Sequence, residues 1–178
     1  MKAWCLAVAA SLWLAAPRVA GQPKPAPDVL RRPGETTLFS FVTRGGKTGS
    51  LCEGPKGKYL VYRFGTAAKV ELQYPAVLDA GSWRKFTHFH YTRGGGVANA
   101  GEEITTLSFE NKGVAYQLYD CEFAFLTKRK EEAYRREVGV GVIVKGKTVQ
   151  VAGEAESAIG GLALSDEALK RVKVDEDE

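Results

Sequence analysis

The stretch ITTLSFENKGVAYQLYD, residues 104–120, is typical of a β-hairpin. Two runs rich in β-branched and aromatic residues, 104–109 and 114–120, flank the turn sequence ENKG. Gly113 stands where a type I turn needs a residue in the left-handed conformation before the strand ladder resumes. The stretch therefore predicts two paired antiparallel strands, and it sets the β character of the fold.

The rest of the chain also predicts strands separated by turns. Residues 58–64 (KYLVYRF) are largely apolar on both faces, which indicates a central strand buried on two sides. Residues 68–74 alternate apolar and polar side chains, which indicates a half-buried strand. Further strands are predicted at 36–43, 48–53, 83–93, 138–144 and 148–152. About nine to ten short antiparallel strands predict an all-β fold, either a β-sandwich or a small barrel.

Two segments lack the two-residue period of strands. Residues 127–137 (TKRKEEAYRRE) are charged and rich in helix formers, which predicts either a short helix or an exposed connection. Residues 165–172 begin with Ser165 as an N-cap, and their acids precede their bases, which is the charge order that a helix prefers. We therefore expect a short C-terminal helix, followed by an acidic tail at 175–178.

The N-terminus has the pattern of a cleaved secretory signal peptide. Lys2 precedes an apolar run over residues 3–16, and small or tolerated residues at 19–21 come before the expected cut near Gly21. The run is too short to span a bilayer, and nothing after it is long and apolar enough to form an integral membrane span. We expect a signal peptide at 1–21, a proline-rich linker at 22–34 and a single β domain at 35–174, in a periplasmic or secreted protein.

Cleavage would leave two of the three cysteines. Cys5 lies in the predicted signal peptide, so Cys52 and Cys121 remain. An even number of cysteines in an exported chain predicts a disulfide bond. The alternatives are two free buried thiols or a redox pair, although the Cys-x-x-Cys spacing of many redox pairs is absent.

The charge of the chain is nearly balanced. Of 25 basic residues, only Lys2 and Arg18 fall in the predicted signal peptide, which contains no acid, so the mature chain has a net charge of +2. That balance gives no support for binding to nucleic acid. The run Lys128-Arg129-Lys130 is interrupted by acids soon afterwards, so it indicates a solvated face or, alternatively, contact with an anionic envelope polymer.

A glycine-rich loop at residues 93–103 (RGGGVANAGEE) is the predicted binding site. Consecutive glycines are costly to order, so such a run indicates unusual dihedral angles or a close approach to the backbone. Loops on rigid scaffolds commonly carry binding residues. The alternative is a long, bulged hairpin connection whose glycines only make the turn. The candidate residues are Arg93, Gly94, Gly95, Gly96, Asn99, Glu102 and Glu103.

Metal binding and catalysis have less support in the sequence. His88 and His90 face the same side of a predicted strand and could supply two ligands to zinc or copper. Nothing in the sequence places a third ligand beside them, so two ring donors on a solvated face are the alternative. No serine lies in a recognisable nucleophile elbow, and carboxylate pairs occur in any chain of this size. We predict no metal, no cofactor and no catalytic residue.

Four segments carry a resemblance to known sequences: YLVYRFG at 59–65, ELQYP at 71–75, YTRGGGVANAGEE at 91–103 and LSFENKGVAYQLYD at 107–120. They resemble a set of small exported β-rich bacterial proteins of unassigned function. The matching stretch runs from about Cys52 to Cys121. The resemblance implies a Gram-negative periplasmic setting and transfers no activity or ligand.

These observations predict an exported, non-catalytic binding module. The leading hypothesis is a protein-binding or inhibitory module, with an envelope or extracellular protein as its partner. The alternative is a module that binds carbohydrate or envelope polymer, such as cell-wall glycan or lipopolysaccharide, by stacking exposed aromatic residues on sugars. A hydrolase of envelope material is the third hypothesis.

Overall fold

The computed structural model describes residues 27–175, in which strands account for 58% and the only α-helix is one short turn of helix. The strands are β1 (Thr36–Thr43), β2 (Thr48–Glu53), β3 (Leu60–Thr66), β4 (Lys69–Tyr74), β5 (Thr87–Arg93), β6 (Glu102–Asn111), β7 (Val114–Leu126), β8 (Glu132–Val144), β9 (Lys147–Gly160) and β10 (Lys173–Val174). Three short 3₁₀ helices occupy Pro55–Gly57, Ala80–Lys85 and Gly96–Asn99, and α1 spans Asp166–Leu169. The prediction of an all-β fold with a short C-terminal helix is confirmed.

All ten strands belong to one curled sheet, which forms a half-barrel. Its order is β10-β5-β6-β7-β8-β9-β1-β2-β3-β4, and every pairing is antiparallel except that of β10 with β5. The Phe41 ring packs directly over two glycines of the neighbouring strands, because a Cβ atom on Gly49 of β2 or on Gly153 of β9 would lie 2.5 Å from it. Glycine on both neighbouring strands therefore leaves room for this large buried ring.

The hydrophobic core fills the concave side of the sheet. Buried side chains from β1, β2, β3, β6, β7 and β8 meet there with Trp83, Phe86, Leu162 and Val172. Aromatic rings connect the two halves of the sheet across the core, since Tyr74 of the edge strand β4 stacks on Phe109 of β6 with ring centroids 4.3 Å apart. The core thus links the two halves of the sheet, although the edge strands β4 and β10 are not paired with each other.

The hairpin predicted at 104–120 is present, with longer strands and a different turn. β6 and β7 pair without a register shift from Glu102↔Phe123 to Asn111↔Val114. Only Lys112 and Gly113 lie between them, and both have positive φ angles, 54° and 76°. A two-residue turn with φ positive at both positions is of type I′, which matches the twist of the strands better than the predicted type I turn.

The segment preceding β1 packs on the outward side of β2 and β3. Leu30 is buried there, and the Asp28 carboxylate accepts hydrogen bonds from the hydroxyls of Thr37 and Ser50 at 2.7 and 2.6 Å. Glu35 forms a fully buried ion pair with Arg63. Residues 28–34, which fall in the predicted linker, therefore contribute to the folded unit; residues 22–26 lie outside the described part.

The predicted disulfide is wrong: Cys52 and Cys121 are free and buried. Cys52 lies in β2 and Cys121 in β7, and three strands (β8, β9 and β1) separate β7 from β2 in the sheet. A disulfide needs Cα atoms within about 7 Å, which is little more than the spacing of adjacent strands. Burial raises the pKa of each thiol to about 11, so neither is an activated thiolate.

Residues 127–131 form an exposed connection, which was one of the two predicted alternatives, whereas residues 132–137 form neither a helix nor a connection but the start of β8. A turn in which Lys130 N donates to Thr127 O at 2.8 Å leads directly into β8, which pairs with β7 over twelve consecutive residues. The predicted signal peptide at 1–21 lies outside the described residues, as does the predicted acidic tail apart from Asp175. Among the described residues, no helix is long and apolar enough to cross a membrane.

Candidate functional site

The glycine-rich loop connects β5 to β6 at one end of the half-barrel. Gly95 and Gly96 have φ angles of 95° and 56°, in the left-handed region that favours glycine, and they open the 3₁₀ helix Gly96–Asn99. Ala100 also has a positive φ, 47°, and closes the helix. The unusual dihedral angles that the sequence indicated are therefore present in the loop.

The predicted donors of the loop bind within the loop itself. Arg93 forms an ion pair with Glu102 at 2.8 Å, and its Nε donates to the carbonyl of Ala100 at 3.0 Å. Asn99 Nδ2 donates to the carbonyl of Gly94 at 2.9 Å. Arg93 and Asn99 therefore fix the shape of the loop, because their donor groups bind other residues of the same loop.

The loop is also attached to the neighbouring hairpin of β7 and β8. The Glu132 carboxylate accepts hydrogen bonds from Val97 N at 3.1 Å and from the Tyr134 hydroxyl at 2.6 Å. The bond from Tyr134, followed by that from Val97, lowers the pKa of Glu132. A Cβ atom on Gly96 would meet the same carboxylate, which is the movable end of an exposed side chain, so it is the positive φ of 56° that favours glycine here.

Two carboxylates face each other beside the loop. Glu103 of β6 and Glu122 of β7 are direct cross-strand partners, and both side chains are exposed. They line a cleft of about 160 Å³ together with Thr92, Tyr134 and the glycines of the loop. Neither forms an ion pair among residues 27–175, so Glu103 presents charge to solvent while Glu102 is neutralised by Arg93.

The outward side of β5–β8 carries aromatic residues that remain in solvent. Constant register through these strands puts one set of alternate side chains on the side opposite the core. We call this surface the convex face; it consists of Phe89, Tyr91, Ile104, Phe123, Phe125 and Arg135. Tyr91 and Phe125 are 41% and 39% exposed, and the Arg135 guanidinium lies 6.0 Å from the centre of the Phe123 ring. The sequence alone could not identify these residues as exposed, because strand alternation does not say which face is covered.

Both histidine rings are engaged by neighbouring groups of the chain. His88 is buried, and its Nε2 donates to the carbonyl of Leu162 at 3.0 Å, while His90 Nδ1 lies 3.0 Å from the Thr105 hydroxyl. Burial lowers the pKa of His88, which disfavours the protonated ring. Within the described range, no group of three or more histidine, cysteine, aspartate or glutamate side chains is placed to hold a metal ion.

A polar clamp closes the concave side above these histidines. Asp120 forms a bidentate pair with Arg136 at 2.7 and 2.9 Å and also accepts a hydrogen bond from Leu162 N at 3.2 Å. Arg136 additionally donates to the carbonyl of Gly160 at 2.8 Å. The clamp therefore ties residues 160–162 to β7 and β8.

No protein-family model, no curated protein and no solved structure matches this chain. Function must therefore be inferred from the geometry of the chain itself.

Proposed function

We propose that this chain is an exported, non-catalytic module that binds a protein partner through the convex face and the adjoining glycine-rich loop. The observation that carries the proposal is the exposure of Tyr91 and Phe125 on the outward side of the sheet. Tyrosine, phenylalanine and arginine are enriched in the centres of protein interfaces. Tyr91, Phe125 and Arg135 therefore make a suitable contact surface.

The contrast with the other half of the sheet strengthens this proposal. The outward-facing residues Ser50, Cys52 and Arg63 of β2 and β3 are buried, and residues 28–35 contact them. On β5–β8 the equivalent positions leave aromatic rings in solvent. Large exposed apolar surfaces rimmed by polar groups commonly mark interaction sites.

The shape of the surface favours a protein over a polysaccharide at this position. The core fills the concave side of the half-barrel, so the opposite side of β5–β8 is convex. A polysaccharide chain is usually held in a concave site that surrounds much of its surface, whereas a protein partner can adapt its own surface to a convex one. The glycine-rich loop, fixed by Arg93 and Asn99, would form a rigid border of the interface.

The hydrolase hypothesis receives less support. Glu103 and Glu122 face each other, as a pair of catalytic carboxylates would. Their cleft of about 160 Å³ is small beside the roughly 300–1,000 Å³ of typical ligand pockets, and both carboxylates are exposed. The site therefore offers little enclosure for a substrate.

The proposal is tested by affinity capture from periplasmic and extracellular extract, with protein produced from the full-length sequence. Wild type is compared with Tyr91→Ser/Phe125→Ser and with Val144→Ser/Val149→Ser, which removes two exposed valines at the far end of β8 and β9. We expect one protein to be retained by wild type and by the valine variant and lost with the aromatic variant. Equal retention by all three, or retention of no protein, would refute the proposal.

A further inference from the structure

The first half of β8 has a neighbouring strand on one side only. β7 pairs with β8 along residues 132–143, whereas β9 pairs only with residues 139–144. From Gly153 onward, β9 pairs with β1 instead. Within the described part of the chain, no strand therefore lies beside residues 132–138 on the side away from β7. We call this stretch of residues 132–138 the β8 edge.

The strand register shows which backbone groups of the β8 edge have no partner. Val144 and Lys147 flank a two-residue turn, so they form a hydrogen-bonded pair, and such pairs alternate along an antiparallel ladder. The backbone N–H and C=O groups of the even-numbered residues of β8 therefore point away from β7. At Glu132, Tyr134 and Arg136 these groups form no backbone hydrogen bond to any described residue. An edge of this kind is a template for a further strand.

The charges of the β8 edge are self-complementary in one register. Charged side chains on an edge strand resist indiscriminate pairing, so a partner strand must bring opposite charges together. Two β8 edges can pair antiparallel about a two-fold axis with Tyr134 opposite Tyr134 of the second copy. Each Glu132 then lies opposite Arg136 of the other copy, on the same face of the sheet, which is a favourable cross-strand pair. Moving the axis to Arg135 would instead place two arginines directly opposite each other, which is unfavourable.

An acidic cavity lies where β9 separates from β8, and we call it the fork. It has a volume of about 570 Å³, and Glu154 and Glu156 are among its lining residues. Neither carboxylate forms an ion pair within the described range. Two of the three arginines that line the fork are already in ion pairs, so only Arg44 remains as a cation without a carboxylate partner there. Two acids and one cation leave the fork with a net charge of −1.

The turn between β7 and β8 has the opposite charge. Lys128, Arg129 and Lys130 form no ion pair with any described carboxylate, and with the adjoining Glu131 they give the turn a net charge of +2. In the register centred on Tyr134, the strand of the second copy ends beside the fork, so its basic turn meets the acidic cavity. Two-fold symmetry repeats the contact, because each copy supplies one turn and one fork.

We propose that this chain forms a two-fold symmetric dimer in which the β8 edges of two copies pair antiparallel. Backbone hydrogen bonds at Glu132, Tyr134 and Arg136 join the two sheets into one. The basic turn of each copy lies in the acidic fork of the other and fixes the register. The dimer goes beyond the binding of a protein partner, because its contacts require neither Tyr91 nor Phe125.

Cysteine cross-linking of native protein, produced from the full-length sequence, tests the register. In the proposed dimer the two Cα atoms at position 134 are about 5.5 Å apart, which is within the range of about 4.4–6.8 Å found for disulfides. Tyr134→Cys should therefore give a disulfide-linked dimer under mild oxidation, as read on a non-reducing gel. Arg135→Cys is the matched control, because residue 135 lies opposite Ala133 of the second copy and should cross-link far less. Equal cross-linking of the two variants, or none with Tyr134→Cys, would overturn the assignment.

Sedimentation equilibrium of charge-reversal variants tests the contact between the turn and the fork. Wild type should show a reversible monomer–dimer equilibrium. Lys128→Glu/Arg129→Glu and Glu154→Lys/Glu156→Lys should each weaken the dimer at least about tenfold, and combining all four changes should restore it to within about threefold of wild type. Lys145→Glu/Lys147→Glu, which reverses the same charge in the turn between β8 and β9, should have little effect.

Wild type that is monomeric at every concentration, or a four-residue variant that stays as weak as its parents, would overturn the dimer. Equal weakening by Lys145→Glu/Lys147→Glu would show a general charge effect and would also refute it. Tyr91→Ser/Phe125→Ser should form the dimer as wild type does. Loss of partner capture and loss of the dimer are therefore distinguishable.

Discussion

The buried pair between Glu35 and Arg63 ties the segment before β1 to the sheet, and Glu35→Gln tests its contribution. Both side chains are 0% exposed. The Glu35 carboxylate accepts two bonds from the Arg63 guanidinium, at 2.7 and 2.9 Å, and further bonds from Arg32 N at 2.8 Å and the Tyr59 hydroxyl at 3.0 Å. Glutamine keeps the shape of the side chain but leaves the buried guanidinium without a counter-charge.

The expected cost at pH 7 is about 3–5 kcal/mol of unfolding free energy, which is typical when one partner of a buried ion pair is removed. A domain of this size is usually stable by about 5–15 kcal/mol, so the loss is a large fraction of the total. Glu71→Gln is the matched control, because the Lys47–Glu71 pair has the same length, 2.7 Å, but is exposed. Its expected cost is below about 1 kcal/mol.

The pH dependence of stability provides a second readout. Burial acts to raise the pKa of Glu35, but the hydrogen bonds from Arg63, Arg32 and Tyr59 outweigh it and hold the pKa below its ordinary value of 4.5. Glu35 therefore stabilises the fold above pH 4.5, and this contribution is lost as the pH falls through the lowered pKa. Urea unfolding between pH 7 and pH 3 should show a flatter acid dependence for Glu35→Gln than for wild type. A cost at pH 7 equal to that of Glu71→Gln would refute the reasoning.

Three further predictions concern the thiols, the loop and the clamp. Cys52 and Cys121 should both be alkylated without reductant after unfolding, but scarcely in the native state, as read by peptide mass spectrometry; a Cys52–Cys121 disulfide-linked peptide would contradict this. Gly96→Ala should lower the unfolding free energy, measured by urea unfolding, by about 1–3 kcal/mol, because the φ angle of Gly96 is 56°. Gly94→Ala is the control: a Cβ atom there enters open space, so the loss should be below about 0.5 kcal/mol. Equal losses for the two variants would contradict this reasoning. Asp120→Asn should cost about 1 kcal/mol and speed amide exchange at residues 160–162, and unchanged exchange there would contradict it.

Local chemistry made the β6–β7 hairpin predictable. Alternating β-branched and aromatic residues on either side of Lys112 and Gly113 are sufficient to fix the pairing, and the strands continue beyond the predicted ends because β8 supports β7. The same reasoning failed at residues 132–137, where the sequence predicted a short helix or an exposed connection and the structure has the start of β8. There the pairing with β7 outweighs a weak local preference, which is how tertiary contacts commonly override propensity.

The disulfide could not be decided from the sequence, because a cysteine count carries no information about distance. Cys52 and Cys121 both point away from the core, at positions separated by three intervening strands. The prediction of a binding site in the glycine-rich loop was limited for the same reason, because residue types carry no information about distance. Arg93 and Asn99 are donors of the expected type, but their donor groups point back to Glu102, Ala100 and Gly94. The type of a residue predicts which groups it can bind, whereas only the fold determines which of those groups lie within hydrogen-bond distance.

Exposure of the convex face follows from how the remaining chain is distributed over the sheet. Residues 28–35 cover the outward side of β2 and β3. Residues 160–165 lie on the concave side, where Leu162 N donates a hydrogen bond to Asp120. Neither segment reaches the outward side of β5–β8, so Tyr91 and Phe125 stay in solvent. Alternation along a strand is the same on both halves of the sheet. Segments that are distant in sequence therefore determine which face is covered and which is exposed, so the convex face could be identified only in the folded structure.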